Sequence, residues 1–373
     1  MQPDVVQLTK DLVAINSVSR HSNSEISDYL ERTFKQCSFE VERLEYLDEN
    51  DELKVSLVAK KGEGSDGFGL FSHSDTVPGN EWAWDAFSPA VEKGRLLGRG
   101  SCDMKGPLAA TITAAASVDA SRLNRPLFVV VTADEEINGG GAKHVAHESS
   151  LLHNSGPKHG VIAEPTQLIP VRAHKGGASV KVTAHGKAAH TSTDRGVSAN
   201  FLIAPFVAEM AELAKRLRTD TSYMNQDFDP PTNGFNLVLD DGGCKPNVTA
   251  AKTVCTVGFR PMPNDRSDDL IEEVTACAKK YDLQVESRKV DPFSVSADAQ
   301  IVQAGLEATG IQRSQTVPFG TDAHAFRDHL ELVILGPGNI AQAHTVGEWI
   351  EIAQLERAVA VYQRMIELLC ECS

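Results

Sequence analysis

Two histidines and five acidic residues fall where apolar runs end. His73 and Asp75 form an H-x-D just past the run 67–71, and Asp103 sits in Gly100-Ser101-Cys102-Asp103-Met104-Lys105-Gly106, opening a helical pattern. Glu135 and Glu136 follow the run 128–132, Glu164 follows 160–163, and His344 comes after 332–335 and Gly336-Pro337-Gly338. Ligands of an open α/β sheet bind outside the carboxyl ends of its strands, so these side chains can meet in one place. Gathered without cations, the carboxylates would repel and raise one another's pKa values, a cost that divalent metals remove. Imidazoles mixed with carboxylates suit zinc, with cobalt or manganese as substitutes, whereas a magnesium or calcium site would be built from oxygen. Each residue alone has a plainer reading: a hydrogen-bonded structural histidine, a solvated acidic loop, or a helix N-cap. Their joint placement at strand ends favours the metal.

The elements that must hold these groups follow an alternating order. Apolar residues at helical spacing cover 3–15 and 24–37; strands are expected at 53–59 and 67–71, a helix at 105–117, a strand at 126–132, a helix at 141–149 and a strand at 160–163. Such alternation implies a mainly parallel sheet covered on both faces. After His174-Lys175-Gly176-Gly177 the pattern changes to strand 178–185, helix 198–218, strands 235–240 and 253–260, helix 268–280 and strand 284–290. Two helices and four strands in this order make a compact, ferredoxin-like α+β unit. The α/β rhythm then resumes with a helix at 300–309, a strand at 332–335 and a closing helix from 349 to about 370. The expected architecture is a discontinuous α/β catalytic domain, residues 1–176 and 292–373, interrupted by an inserted domain at 177–291.

Length and composition agree with this. At 373 residues the chain exceeds one ordinary core, and its net charge of −15 argues against nucleic acid or an anionic membrane as a partner. No apolar run is long enough to cross a bilayer, and Met1-Gln2-Pro3-Asp4 does not begin a signal segment, so a cytoplasmic enzyme is expected. The seven cysteines are scattered without C-x-x-C spacing, which indicates thiols rather than disulfides or a thiolate zinc site. Three other chemistries fail on their motifs. His144-x-x-His147-Glu148 is neither zincin order, no G-x-S-x-G elbow is present, and no G-x-G-x-x-G turn supports a dinucleotide.

The segments His73-Ser74-Asp75-Thr76-Val77-Pro78, Gly98-Arg99-Gly100 through Gly106, Thr132-Ala133-Asp134-Glu135-Glu136 and Glu164-Pro165-Thr166 resemble the M20 metallopeptidase family of aminoacylases, deacylases and carboxypeptidases. The resemblance implies a zinc-peptidase-like catalytic domain and an inserted domain used for dimerisation or as a lid. It assigns His73 and Glu164 to one metal, Glu136 and His344 to the other, Asp103 as the bridge between two zinc ions, and Glu135 as the general base. Asp75 then suits a carboxylate that orients the His73 ring. Gly186-Lys187-Ala188-Ala189-His190-Thr191-Ser192 matches a family segment whose histidine reaches a neighbouring subunit's site and stabilises the oxyanion, which implies a homodimer. By the same resemblance Arg260 matches an R-x-x-P position suited to gripping a carboxylate and the Gly320-Thr321 loop lies near the substrate, with Asn247 able to add an amide hydrogen bond; the plainer reading of all four is a surface or turn role. The implied reaction is hydrolysis of the amide of a small N-acylated amino acid. Alternatives are a different acyl group, a dipeptide substrate, or an inactive relative that only binds. Gly347 before Glu348 departs from the acid that many relatives carry there, which bears on the substrate rather than the metals.

Overall fold

The computed structural model describes residues 2–371, which form two compact units. One comprises Met1–Arg172, Val295–Gln315 and Thr321–Ser373, the other Ala173–Ser294 and Thr316–Gly320. The cuts lie a few residues from those read in the sequence, because residues 173–176 are already tied into the second unit. There Lys175 N–H donates to Val317 O (3.3 Å) and Gly176 N–H to Pro261 O (2.7 Å). The expected substrate loop is divided: Gly320 belongs to the second unit and Thr321 to the first.

The first unit is mixed α/β around a mainly parallel sheet, as expected. Its central strands run in the order Leu127–Thr132, Gly67–His73, Pro157–Pro165, Glu331–Gly336, all parallel, and Leu53–Lys61 and Glu40–Leu47 extend one side antiparallel. Every residue of Gly67–His73 and of Leu127–Thr132 is buried, which is why both read as continuous apolar runs rather than alternating ones. Helix Lys105–Ala116 is buried over all but its last residue, and its run of Ala and Thr lets the helices Val5–Val13 and Ile352–Cys370 pack closely on it. Two expectations are corrected. Residues 349–351 do not begin the closing helix: Trp349–Glu351 is a strand paired with Arg95–Leu97, and the helix starts at Ile352. Glu40–Leu47 is a strand the sequence reading passes over, because no residue of it is fully buried and no apolar run marks it.

The second unit follows the order strand, helix, strand, strand, helix, strand, with an antiparallel sheet ordered Asn236–Asp240, Lys252–Phe259, Gly177–His185, Gln284–Val290. Burial alternates along Lys252–Phe259, so one face of the sheet meets the helices Ala199–Leu217 and Ser267–Lys280 around Val180, Val182, Phe206 and Val257. Among the described residues no helix is long and apolar enough to cross a membrane.

Candidate metal centre

Strand ends of the first unit bring the expected ligands together. His73 ends its strand with Nε2 3.2 Å from Asp103 Oδ1 and 3.7 Å from Glu164 Oε1. Asp103 Oδ2 lies 3.4 Å from His344 Nε2, which in turn is 2.8 Å from Glu136 Oε2. The groups resolve into two clusters, His73–Asp103–Glu164 and Asp103–Glu136–His344, with the ligand atoms of each within 4.8 Å of one another. Asp103 is common to both.

The donor set fits metal ions on its own chemistry. His73 Nδ1 lies 3.0 Å from the main-chain carbonyl of Asp75, which fixes the proton on Nδ1 in the neutral ring. The Nε2 lone pair then points at two carboxylate oxygens, an arrangement that needs a proton or a cation between them. Glu136 Oε1 is also buried without a hydrogen-bond partner among the described residues.

The supports differ in one respect from expectation. Asp75 orients His73 through its carbonyl; its carboxylate Oδ1 is 3.6 Å from Nδ1. That carboxylate instead accepts the N–H groups of Glu135 (3.2 Å) and Glu136 (3.3 Å) and the hydroxyl of Ser19 (2.6 Å). Asp75 therefore holds the turn that carries Glu135 and Glu136. The preceding Asp134, in left-handed backbone at φ 58°, is clamped by Lys54 Nζ (3.0 Å) and the Tyr46 hydroxyl (2.7 Å). Lys54 is buried and also donates to the carbonyls of Ser19 and His21. Two glycines permit the close approaches. A Cβ on Gly106 would lie 2.2 Å from Ser101 O, and one on Gly141 2.3 Å from Ala133 O, so side chains there would displace the Asp103 loop and the Glu135–Glu136 turn.

The electrostatics follow from crowding. Burial, with Asp103 and Glu136 nearby, holds Glu164 well above the usual carboxylate range. Burial and Glu164 do the same for Glu135. Burial would lower His73, but Asp103, Asp75 and Glu164 hold it well above an ordinary imidazole. Hydrogen bonds to Asp103 and Glu136 push half-exposed His344 up to about 10. Asp103 goes the other way: burial opposes ionisation, but both imidazoles override it. His344 adopts φ 60°, a backbone region sparsely used by residues other than glycine, and such positions cluster at functional sites.

The remaining expected residues are spread over both units. His190 and Asn247 are neighbours on the second: His190 bridges Val248, and Thr191 N–H donates to Asn247 O (3.0 Å). Exposed Arg260 donates to Gly176 O (3.4 Å). Thr321 is buried, its hydroxyl accepting the Ala323 N–H (3.1 Å), so it shapes its own loop. Next to it, Asp322 is buried and accepts from the Thr132 hydroxyl (2.6 Å), a contact no sequence signal marks. His147 and Glu148 are exposed and pair with each other, as expected of a solvated helix face.

A parallel α/β sheet whose strand ends carry two ligand clusters sharing one aspartate defines a metal-dependent hydrolase. The chain belongs to peptidase family M20/M25/M40, whose sequence profile matches residues 69–368. Its relatives include the acetylornithine deacetylases of Myxococcus xanthus, 35% identical over 96% of both chains, and of Proteus mirabilis, 31% identical over 99% of this chain and 97% of that one. Among solved structures, an M20 family metallo-carboxypeptidase from Sulfolobus solfataricus superposes with a TM-score of 0.77 at 17% identity, covering 98% of this chain and 99% of that one. An aminopeptidase from Bacillus cereus gives 0.72 at 20% identity over 98% of each. These structures share the fold.

Proposed function

We propose that the chain is an amidohydrolase that removes the acyl group from a small N-acylated amino acid, with N-acetylornithine as substrate and ornithine and acetate as products. The observation that carries this is Asp103, shared by two ligand clusters while Glu135 stands on the turn that also delivers Glu136. The choice of N-acetylornithine is supported by relatives of that specificity matching nearly the whole chain. Bound at the two clusters, zinc ions, or cobalt or manganese in their place, would act as Lewis acids and lower the pKa of a water molecule. Glu135 takes the proton of the attacking water and returns it to the leaving amine. His190 accepts the Ser192 N–H at Nδ1 (3.2 Å), which leaves Nε2–H as the donor suited to the oxyanion. Arg260 grips the substrate carboxylate through its planar fork, with Asn247 and the Gly320–Thr321 loop beside the substrate. We place the reaction in the cytosol, where Cys102, Cys244, Cys255, Cys277 and Cys370 stay thiols.

His190 serves a second copy of the chain in this reading, so the working form is a homodimer. The support is the edge strand Asn236–Asp240, with Val238 62% and Leu239 50% exposed, and Phe201 on the neighbouring helix at 83%. Light scattering should find twice the 40.3 kDa chain, and Phe201→Asp with Leu239→Lys should halve it. A monomeric wild type removes His190 from the mechanism as written.

The deciding assay compares hydrolysis of N-acetylornithine, N-succinyl-diaminopimelate and several N-acetyl amino acids by metal-loaded and chelated enzyme. Chelator-sensitive preference for N-acetylornithine is expected. Preference for another member would overturn the substrate and keep the chemistry; inactivity on all of them with metal bound would overturn both.

A further inference from the structure

Glu348 belongs to neither ligand cluster, yet it is wholly buried and both carboxylate oxygens are engaged. Oε2 accepts from Arg99 Nη1 (2.7 Å) and Gly100 N (3.0 Å), and Oε1 from Cys102 N (2.8 Å) and Asp103 N (2.9 Å). The main-chain carbonyl of Glu348 also accepts the Gly98 N–H (3.0 Å). One residue thus fastens the whole loop ending at Asp103, across 245 positions of sequence.

The same residue stands at the end of the short segment that begins with His344. Both His344 (φ 60°) and Gly347 (φ 76°) are in left-handed backbone, and the next strand, Trp349–Glu351, is paired with Arg95–Leu97. Glu348 therefore locks the His344 segment against the Asp103 loop. Those segments supply two of the three residues of the Asp103–Glu136–His344 cluster. In the other cluster, His73 and Glu164 ride on central strands of the main sheet, and only Asp103 depends on the clamped loop.

We propose that Glu348 is a positioning residue for the Asp103–Glu136–His344 metal site: its carboxylate holds Asp103 and His344 in register and so sets the affinity of that site relative to its neighbour. The inference rests on the dinuclear reading above. Outer partners that orient metal ligands typically contribute 10- to 100-fold in affinity, and here a single carboxylate orients two ligands at once. A merely structural Glu348 would affect folding stability without separating the two ions.

The test is a Co2+ titration of the chelated full-length enzyme, followed by calorimetry and by the visible absorption of bound cobalt. The wild type should show two binding events. Glu348→Gln keeps the size but turns an amide N–H toward backbone donors, and should weaken the second event about 10- to 100-fold while the first stays near wild type. Glu348→Asp should restore part of the loss. Should Glu348→Gln fail to fold, Glu348→Asp and Arg99→Gln carry the test: each must weaken the same event selectively. Equal weakening of both events, or of neither, overturns the proposal. A wild type that binds only one Co2+ overturns the dinuclear reading and this inference with it, in an arm that contains no substitution.

Discussion

Glu135→Gln is expected to lower kcat by about 10²- to 10⁴-fold while the protein still binds two metal ions, the range ascribed to a positioned general base. The separation of the two readouts follows from the geometry. Glu135 is in neither ligand cluster, whereas the adjacent Glu136 is, and Asp75 holds the backbone N–H of both residues. An isosteric amide leaves that backbone anchoring in place and removes one of the acids that crowd Glu164 and His73. The variant should therefore keep its metal ions, because no ligand is lost, with at most a modest fall in affinity from the charge removed. In the metal-free protein, burial and the neighbouring acids hold the Glu135 carboxyl well above its usual range. Loss of metal from the variant would make Glu135 a ligand, and unchanged turnover would remove it as the base.

That Glu136 falls in a ligand cluster and Glu135 in neither could not be read from the pair Glu135-Glu136 itself. The sequence showed where carboxylates stand relative to strands, because apolar runs and the residues that end them are local. His73, Asp103, Glu136, Glu164 and His344 were visible for that reason, and the structure brings all five together. What holds them is set by contacts between distant segments. Lys54 sits in Leu53–Lys61, where a lysine reads as solvent-facing, yet it is 1% exposed and neutralises Asp134. Glu348 is marked in the sequence only by Gly347 before it, a departure read as bearing on the substrate rather than the metals, yet the four hydrogen bonds of its carboxylate reach residues about 250 positions earlier. The turn-rich joint after His174 was legible, but not that Thr316–Gly320 would join the second unit, since a short segment without an apolar run carries no local mark of its partner.

Chelation should do more than abolish activity: it should make the stability of the protein, relative to the loaded form, fall as pH rises. Without cations the two clusters can be neutralised only by protons, and the shifts have one dominant sign. His344 rises to about 10 through Asp103 and Glu136, and His73, Glu135, Glu136 and Glu164 are also raised. A group whose pKa is higher in the folded state binds more protons there, so stability falls with pH across the interval between its unfolded and folded values. For His344 that contribution is complete below the unfolded imidazole value of about 6.5 and is lost as pH climbs through about 10. Asp103, lowered by the same imidazoles, has the opposite sign, but its interval lies in acid, below the ordinary carboxylate value. Lys105, lowered by burial to about 7, gives the opposite slope above pH 7 in both forms, so it is the melting temperature of the chelated enzyme relative to the loaded one that should decline from pH 6.5 to 10. In the loaded enzyme the cations replace those protons, so the part of the slope that comes from the two clusters should vanish, and an ion at a hundred times its Kd should add about 2.7 kcal/mol of stability. Binding must then expel protons. Calorimetric titrations at pH 8, in buffers of different ionisation enthalpy, should show at least one proton released as the second site fills. Parallel pH profiles for loaded and chelated protein, or binding without proton release, would mean that the imidazoles are not where the ions bind.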